Sequence, residues 1–360
     1  MPRGEVIAVD AMSGDHAPKS VIGGLVRSLR IQPEIRYILH GDAQLLERLL
    51  RRRKNLRAQV EIVHAPDLIA MNAKAAQAIR QGRNSSMWHA LDSVGTGKAD
   101  VAISAGNTGA LMAMSFMRLR QPELKIRPAI AALWPTVTPN KHAIVLDMGA
   151  DIRADEETLV NFAIMGAEYS RAALNIETPN IAILNVGSEE NKGREDLRIA
   201  AAQLRHVATH PQANFNFIGF VEGSDISSGK ADVIVTDGFS GNIALKTAEG
   251  TAKLITSLMH DAFQHSWLTK LGAVFAYPAL KQLKRSIDPR RVNGGVLLGL
   301  DGVVVKSHGA ADSLGFSNAL LLAARLARQD LPKRITTQVK LCADLRTNHG
   351  LLSDRTKTTA

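Results

Sequence analysis

Short runs of apolar, mostly β-branched residues alternate along this chain with longer amphipathic stretches. Most of the short runs are continuous in Val, Ile, Ala and Leu, which is typical of strands buried on both faces. Such strand–helix repetition predicts an α/β layered fold with a mostly parallel sheet. The predicted strands are Val6–Asp10, Arg36–His40, Val60–His64, Asp100–Ser104, Ile130–Leu133, Ala143–Asp147, Ile181–Val186, Asn216–Phe220 and Asp232–Thr236. The predicted helices are Pro18–Arg30, Leu45–Lys54, Gly109–Leu119, Glu156–Leu174 and Asn242–Phe263.

The length of 360 residues allows one large domain or two ordinary ones with a substantial core. A single cysteine, Cys342, excludes a disulfide framework and any Cys-based metal site, and it suits a reducing compartment. The apolar runs fall well short of the ~20 residues that cross a bilayer, and the amino-terminal segment lacks a signal-peptide core. We therefore expect a cytoplasmic protein with one α/β catalytic domain over 1–335 and a basic, weakly packed tail over 336–360.

Positive charge is concentrated in three segments of a chain whose net charge is +10. Residues 27–57 carry a net charge of +6, whereas 270–291 and 325–360 carry +5 each. Solvated helix faces are one explanation, and surfaces for acidic partners such as an acidic protein or anionic lipid are the other. Nucleic acid is not expected, because aromatic residues make up only 4% of the chain and stacking platforms are missing.

Five loops that follow predicted strands contain more Gly, Asn, Asp and Ser than plain connections need. In α/β folds, ligands bind where the carboxyl ends of strands meet the amino ends of helices. The first two loops, 10–18 and 104–110, supply a polar floor and a glycine-rich approach to a helix amino end that favours anions. Their candidate ligand-binding residues are Asp10, Ser104, Gly106, Asn107, Thr108 and Gly109.

The other three loops add cations and amides. Asn185 and Lys192 lie in 185–193, and the ammonium of Lys192 is suited to hold an anion. Asp237 begins the fourth loop, in which Asn242 either caps the next helix or directs its amide at a bound oxygen. The fifth loop follows an apolar strand ending at Val305 and contains Lys306 and His308.

These residues bind anions but include none of the usual nucleophile machinery. Gly-x-Ser-x-Gly and His-Glu-x-x-His are missing, and no His, Asp or Glu spacing indicates a metal site. We therefore expect no metal and no cofactor, and a site that holds a phosphate-like anion and stabilises a developing oxyanion.

Apolar and aromatic residues stand beside cations between Phe263 and Arg291. Gly272 and Pro278 predict a helical hairpin over 263–291, inserted in the catalytic domain. This composition is typical of an interfacial membrane anchor, although packing in a dimer interface or the core is the alternative. The residues of this predicted membrane or partner surface are Leu271, Val274, Phe275, Tyr277, Lys281, Lys284 and Arg285.

Six motifs occur in the order and spacing of one bacterial family. The chain resembles the phosphate acyltransferases, the fatty acyl-ACP:phosphate transacylases, over about residues 5–328. The motifs are Asp10–Pro18, Ser104–Ala110, Asn185–Gly193, Phe217–Ile226, Asp237–Asn242 and Lys306–Gly309.

The resemblance implies transfer of a fatty acyl group from acyl carrier protein to inorganic phosphate. It also implies a homodimer with a three-layer α/β/α fold like that of isocitrate and isopropylmalate dehydrogenases, associated peripherally with a membrane. A glycerol-3-phosphate acyltransferase would consume the acyl phosphate downstream. Lys192 and the Gly106–Gly109 segment would hold phosphate, Asn242 would stabilise the oxyanion, and His308 would orient phosphate or protonate the leaving thiolate.

Four positions depart from the expected family pattern: Ser13, Asp151, Phe220 and Ser224. Acyl carrier protein could dock on the basic rim of the hairpin or on Arg51–Lys54, and the sequence does not choose between them. The alternative functions are a short-chain phosphotransacylase that uses acyl-CoA, an isopropylmalate-type dehydrogenase and a non-catalytic surface scaffold. The dehydrogenase needs metal-binding aspartates and an arginine cluster that we do not find.

Overall fold

Eleven strands form one sheet in the residues that the computed structural model describes, which are 4–121, 126–138, 141–286 and 294–347. For 279–286 only the backbone is described. The strands are β1 (Val6–Asp10), β2 (Arg36–Gly41), β3 (Val60–His64), β4 (Val101–Ser104), β5 (Ala129–Pro135), β6 (His142–Leu146), β7 (Asn180–Leu184), β8 (Asn216–Val221), β9 (Val233–Val235), β10 (Gly295–Leu298) and β11 (Val303–Lys306). Their order is β3-β2-β1-β4-β11-β10-β5-β6-β9-β7-β8.

The sheet is mostly parallel, as the sequence predicts, but it consists of two blocks. Strands β3, β2, β1, β4 and β11 run parallel to one another, and so do β6, β9, β7 and β8. Between the blocks β10 pairs antiparallel with β11 and β5, and β5 pairs antiparallel with β6. The two blocks therefore run in opposite directions.

Sheet twist limits the consequence of this reversal. Adjacent strands rotate by about 20–25°, so the five steps from β4 to β9 accumulate about 100–125°. A rotation of this size turns the two blocks away from a strictly antiparallel alignment. The five predicted loops nevertheless do not follow one carboxyl edge, because the central antiparallel strands reverse the second block.

All nine predicted strands are found, with ends within two residues of the prediction. β10 has no predicted counterpart, because Gly299, Asp301 and Gly302 interrupt the apolar run that contains both β10 and β11. Helices cover both faces of the sheet. Val101 and Ile103 join one core cluster with residues of the helices at 156–174 and 313–328, while Ala102 joins a second cluster with residues of the helices at 86–95 and 108–119. This division follows from the alternation of side chains along a strand.

The helices are α1 (Lys19–Ile31), α2 (Ala43–Leu50), α3 (Lys54–Arg57), α4 (Ala75–Gln81), α5 (Ser86–Gly95), α6 (Thr108–Leu119), α7 (Glu156–Leu174), α8 (Glu195–Ala208), α9 (Gly238–Gln264), α10 (Trp267–Ser286), α11 (Ser313–Arg328) and α12 (Leu331–Thr347). α7 has the predicted bounds, whereas α9 begins four residues before the predicted start at Asn242. The earlier start arises because Asp237 caps the helix by accepting the Ser240 N–H at 2.7 Å.

The predicted boundary at residue 335 is wrong, because it divides α12. Ile335, Val339 and Cys342 are buried at helical spacing, and Arg346 is buried beside Gln203, to which it donates at 3.3 Å. An amphipathic helix packed in this way continues the domain to Thr347. The rest of the predicted tail, 348–360, lies outside the described residues.

The predicted start of the hairpin at residue 263 is also wrong, whereas its predicted end at 291 lies outside the described residues. α9 and α10 pack against each other with their turn at His265 and Ser266, and Gly272 and Pro278 lie inside α10. Ser266 and Thr269 start α10 by reciprocal bonds: each backbone N–H donates to the other hydroxyl, at 3.0 and 3.2 Å. The side chains of Lys281, Lys284 and Arg285 lie outside the described residues. The predicted apolar surface residues Leu271, Val274, Phe275 and Tyr277 are all exposed.

Candidate active site

A buried carboxylate organises the loops at the carboxyl ends of β1 and β4. Asp10 is fully buried, and its two oxygens accept hydrogen bonds from Ser86 and Ser104, each at 2.6 Å. The hydroxyl of Ser104 in turn accepts the Gly106 N–H at 3.0 Å. Asp10 and Ser104 therefore fix the backbone of the glycine loop. The substrate contact that the sequence predicts for these two side chains is left to the other residues of the loop.

The glycine loop ends at the amino terminus of α6. Asn107 caps this helix by accepting the Ala110 N–H at 2.9 Å, and its amide donates to the carbonyls of Met71 and Ala73 at 2.6 and 3.1 Å. Its side chain thus positions the loop rather than facing a ligand. Thr108 and Gly109 are exposed, and first-turn N–H groups have no intrahelical acceptor. The anion site expected here consists of backbone donors and the helix dipole.

Lys306 ends β11, opposite Ser104 of the neighbouring β4, and His308 lies two residues further on. Burial lowers the pKa of Lys306 to about 8, although the nearby charges of Asp10 and Asp15 oppose this shift. Burial and the charge of Lys306 also lower the pKa of His308. His308 accepts the Ala310 N–H at Nδ1 at 3.1 Å, so its neutral ring carries the proton on Nε2.

A second buried carboxylate, Asp147, organises the loop after β6. It accepts N–H groups of Ile130, Gly149, Ala150 and Asp151 at 2.6–3.2 Å. Burial raises the pKa of Asp147, whereas these donors oppose the rise. The Asp151 carbonyl then accepts the Gly238 N–H at 2.7 Å, which attaches the start of α9 to this loop.

The first turn of α9 places Asn242 beside Gly149. A Cβ at Gly149, whose φ is +127°, would lie 3.5 Å from the Cβ of Asn242. The Asp237 carboxylate, which caps α9, also pairs with Arg194 at 2.7 Å. Burial opposes its ionisation, but the Ser240 N–H and Arg194 outweigh burial and lower the pKa of Asp237. Asp237 is thus a structural cap, and Asn242 is exposed with its side chain toward the β6 loop.

The loop after β7 carries Lys192 but uses Asn185 internally. Asn185 accepts the Val186 N–H at 2.9 Å and donates to the Lys192 carbonyl at 3.1 Å. Gly193 has a φ of +84°, and a Cβ there would lie 2.0 Å from Asn185 Oδ1, so glycine is required. The exposed ammonium of Lys192 pairs with Glu189 at 2.8 Å, which raises its pKa.

α9 connects the two groups of loops. Its start holds Asn242 at the β6 loop, and one to two turns further on the charges of Lys246 and Glu249 act on His308. The charge of Lys246 also acts on Lys306. α9 therefore runs from the β6 loop to within electrostatic range of Lys306 and His308, whereas Lys192 pairs with Glu189 of its own loop, β7–α8.

Four residues of this site were not among the predicted site residues: Ser86, Asp147, Arg194 and Lys246. Asp147 is the last residue of a predicted strand, as Asp10 is, and this position was the one feature of the sequence that indicated a site residue. Ser86, Arg194 and Lys246 belong to helix starts or a helix surface, where polar residues are common and carry no distinct signal. Of the departures from the family pattern, Asp151 pairs with Arg127 at 2.8 Å and Phe220 is buried in the core.

No group of three His, Cys, Asp or Glu side chains that could hold a metal ion occurs among the described residues. Within the same residues, no helix combines the length and the apolar character needed to cross a membrane.

The fold has solved counterparts. The EutD phosphotransacetylase from Staphylococcus aureus superposes with a TM-score of 0.59 at 15% identity, covering 90% of this chain and 94% of that protein. The chain therefore has the α/β fold of phosphotransacylases.

Sequence comparison gives the family. The sequence model described as "Fatty acid synthesis protein" matches residues 6–334. The chain is 49% identical over 334 residues to the phosphate acyltransferase of Jannaschia sp. (strain CCS1), covering 93% of this chain and 91% of that protein. It is also 49% identical over 352 residues to the phosphate acyltransferase of Ruegeria sp. (strain TM1040), covering 98% and 93%. The chain belongs to this fatty acid synthesis protein family, as the resemblance of its motifs implies.

Proposed function

We propose that the chain is a phosphate acyltransferase that transfers a fatty acyl group from the thioester of acyl carrier protein to inorganic phosphate. The product is an acyl phosphate, which a later acyltransferase, such as one acting on glycerol 3-phosphate, consumes in phospholipid synthesis. The observation that carries this proposal is the arrangement along α9, which holds the exposed amide of Asn242 at the β6 loop and lies within electrostatic range of the partly buried Lys306 and the exposed imidazole of His308.

The reaction follows from these groups. A phosphate oxygen attacks the thioester carbonyl carbon, and the carbonyl electrons move to form a tetrahedral oxyanion. The Asn242 amide donates to that oxyanion, where a preorganised donor stabilises charge as it develops. The carbon–sulfur bond then breaks, the acyl phosphate forms, and the thiolate leaves to take a proton from solvent or from His308.

Phosphate binds, in this proposal, at the first turn of α6, with Lys306 supplying charge and His308 a donor. Because its lowered pKa keeps His308 neutral at pH 7, its Nε2–H is suited to orient phosphate, and proton donation to the thiolate is the weaker alternative. Lys192 completes the site if the ammonium leaves Glu189 for the incoming anion. An exposed ion pair of this kind is weak enough to exchange partners.

The alkaline limit of phosphate binding provides a test of Lys306. Because the pKa of Lys306 is lowered to about 8, its ammonium is lost as the pH rises through that value. We expect the KM for phosphate to rise above pH 8, approaching about tenfold per pH unit. The test measures initial rates over a range of phosphate concentrations at each pH from 6.5 to 9.5, which gives the KM for phosphate as a function of pH.

The substitution Lys306→Arg should move the alkaline rise in the KM for phosphate beyond the measured pH range, because a guanidinium stays charged. His308→Gln serves as the control, since the lowered pKa of His308 places its titration on the acidic side. A KM for phosphate that is flat to pH 9.5 in the unaltered protein would contradict the role of Lys306.

The acyl donor is tested directly. Purified protein is given phosphate with either long-chain acyl-ACP or short-chain acyl-CoA, and the released thiol is measured. Turnover of acyl-ACP that depends on phosphate supports the proposal. Turnover of short-chain acyl-CoA alone supports the second candidate, a short-chain phosphotransacylase, which the similarity of the fold to phosphotransacetylases favours.

The α9–α10 hairpin is proposed to serve as a peripheral membrane surface, and the molecule to act as a homodimer in the cytoplasm. Phe275 is 78% exposed and Val274 68% exposed, in a helix that also contains Lys270.

The basic rim of the hairpin is proposed to receive acyl carrier protein. Arg51–Lys54 is less suitable, because these residues follow α2 and precede β3, at the amino edge of the first block. We also propose that the three-layer α/β/α fold resembles that of isocitrate and isopropylmalate dehydrogenases.

Adding a charge to the apolar face of the hairpin distinguishes membrane binding from a role in a dimer interface. Phe275→Glu should reduce cosedimentation with anionic lipid vesicles about tenfold, the effect of losing one buried aromatic side chain. Thr251→Glu adds the same charge on an exposed position of α9 and should have little effect. Unchanged vesicle binding together with a monomer in size-exclusion chromatography would instead assign the face to a dimer interface.

A further inference from the structure

One buried hydroxyl near the α6 amino terminus has no partner. Ser13 lies in the loop after β1, is 2% exposed, and its Oγ makes no hydrogen bond within the described part of the chain. Leaving a buried hydroxyl unsatisfied costs stability, and native proteins keep few such groups.

The location of Ser13 is well defined. A Cβ at Gly106 would lie 3.0 Å from the Cβ of Ser13 and 3.1 Å from its Oγ, so the side chain faces the glycine that precedes the α6 cap. The next residue, Gly14, touches the other two loops: a Cβ there would lie 3.0 Å from Ala105 Cβ and 3.2 Å from the Gly309 carbonyl. Ser13 thus stands where the loops after β1, β4 and β11 meet.

The hydroxyl of Ser13 is separate from the network of Asp10. Both oxygens of Asp10 accept serine hydroxyls already, from Ser86 and Ser104. Two features therefore coincide at this point: the amino end of a twelve-residue helix and a buried hydroxyl that faces it without a partner.

We infer that Ser13 is an additional phosphate-binding residue, whose Oγ donates a hydrogen bond to an oxygen of the anion held at the first turn of α6. This inference rests on the proposed function and deepens it. Lys306 supplies charge to the same anion, whereas a neutral hydroxyl supplies direction. The bond satisfies Ser13 only in the bound state, so the free protein carries an unsatisfied group that phosphate relieves.

This arrangement has a signature that a structural serine lacks. Removing the hydroxyl should stabilise the free protein, because an unsatisfied buried group is gone. It should also weaken the binding of phosphate, because a hydrogen bond to a charged oxygen is lost. The two changes have opposite signs, whereas a serine that only packs would show the first change alone.

The experiment compares the unaltered protein with Ser13→Ala and with a matched control, Ser170→Ala. Ser170 is also fully buried with an unpartnered Oγ, but it lies within α7. Thermal unfolding is followed with inorganic phosphate titrated in, using potassium chloride to hold ionic strength, and the KM for phosphate and for the acyl donor are measured in parallel.

Ser13→Ala should raise Tm without phosphate, shrink the Tm gain that phosphate produces, and raise the KM for phosphate about tenfold or more. Its KM for the acyl donor should stay within about twofold. Ser170→Ala should raise Tm alone. A phosphate response in Ser13→Ala equal to that of Ser170→Ala overturns this inference only. An unaltered protein that neither turns over phosphate nor gains Tm from it overturns the proposed function as well.

Discussion

Asn242→Ala is expected to lower the turnover of acyl-ACP by about 100- to 1000-fold, the loss that follows removal of one oxyanion donor. Asn242 is the exposed amide on the first turn of α9, against Gly149 of the β6 loop. Because the amide acts on charge that exists only in the transition state, kcat should fall while both KM values change little. Steady-state kinetics with phosphate and acyl-ACP varied in turn measure this split.

The fold should survive this change. Asn242 is exposed, and Asp237, not Asn242, caps α9. Thermal unfolding should therefore stay within a few degrees of that of the unaltered protein. Thr251→Ala, at an exposed position nine residues further along α9, is the matched control and should keep full activity. Turnover of Asn242→Ala within about threefold of normal would remove the residue from the oxyanion role.

The second large effect is expected from Gly241→Ala. Gly241 is buried on the first turn of α9, and a Cβ there would lie 1.9 Å from the Asp147 carbonyl oxygen. Backbone must shift to relieve this contact, which we expect to destabilise the protein by about 1–3 kcal/mol or more. The same shift displaces the adjacent Asn242, and a misplacement of 1 Å costs about 100-fold in rate.

Gly250→Ala provides the matched control on the same helix. Nothing lies within 4 Å of a Cβ at Gly250, so alanine should instead stabilise α9 by about 0.5–1 kcal/mol through helix propensity. Activity should be unchanged. Chemical denaturation and turnover of both variants give the comparison. Equal effects of the two substitutions would show that the contact of α9 with the β6 loop does not position the site.

The sequence predicted the parts of the molecule that are set by local patterning. β1, β3 and α7 have the predicted bounds, because apolar runs and capping residues mark them in the chain itself. The loops that contain Lys306, His308 and Asn242 also lie near α9. The predicted start of the hairpin and the predicted domain boundary at 335 are wrong, because the Ser266–Thr269 cap and the burial of Arg346 depend on partners that a local pattern does not identify.

Residue roles divide in the same way. Asp10, Asn107, Asn185 and Asp237 are site residues by type and position, yet their polar atoms hold backbone and neighbouring side chains. Which polar atom is used inside the protein and which is left for a ligand depends on distances of tenths of an ångström between strands far apart in sequence.

The chain by itself determined the α/β class, the family and the loops that carry chemistry, because periodicity and motif order are properties of neighbouring residues. Only the tertiary structure decided that the two strand blocks run in opposite directions and that α9 extends from the β6 loop to the surroundings of Lys306 and His308. It also left Ser13 buried without a partner beside Gly106. Hydrogen-bond satisfaction and burial are sums over contacts between distant segments, so they exist only once the sheet has formed.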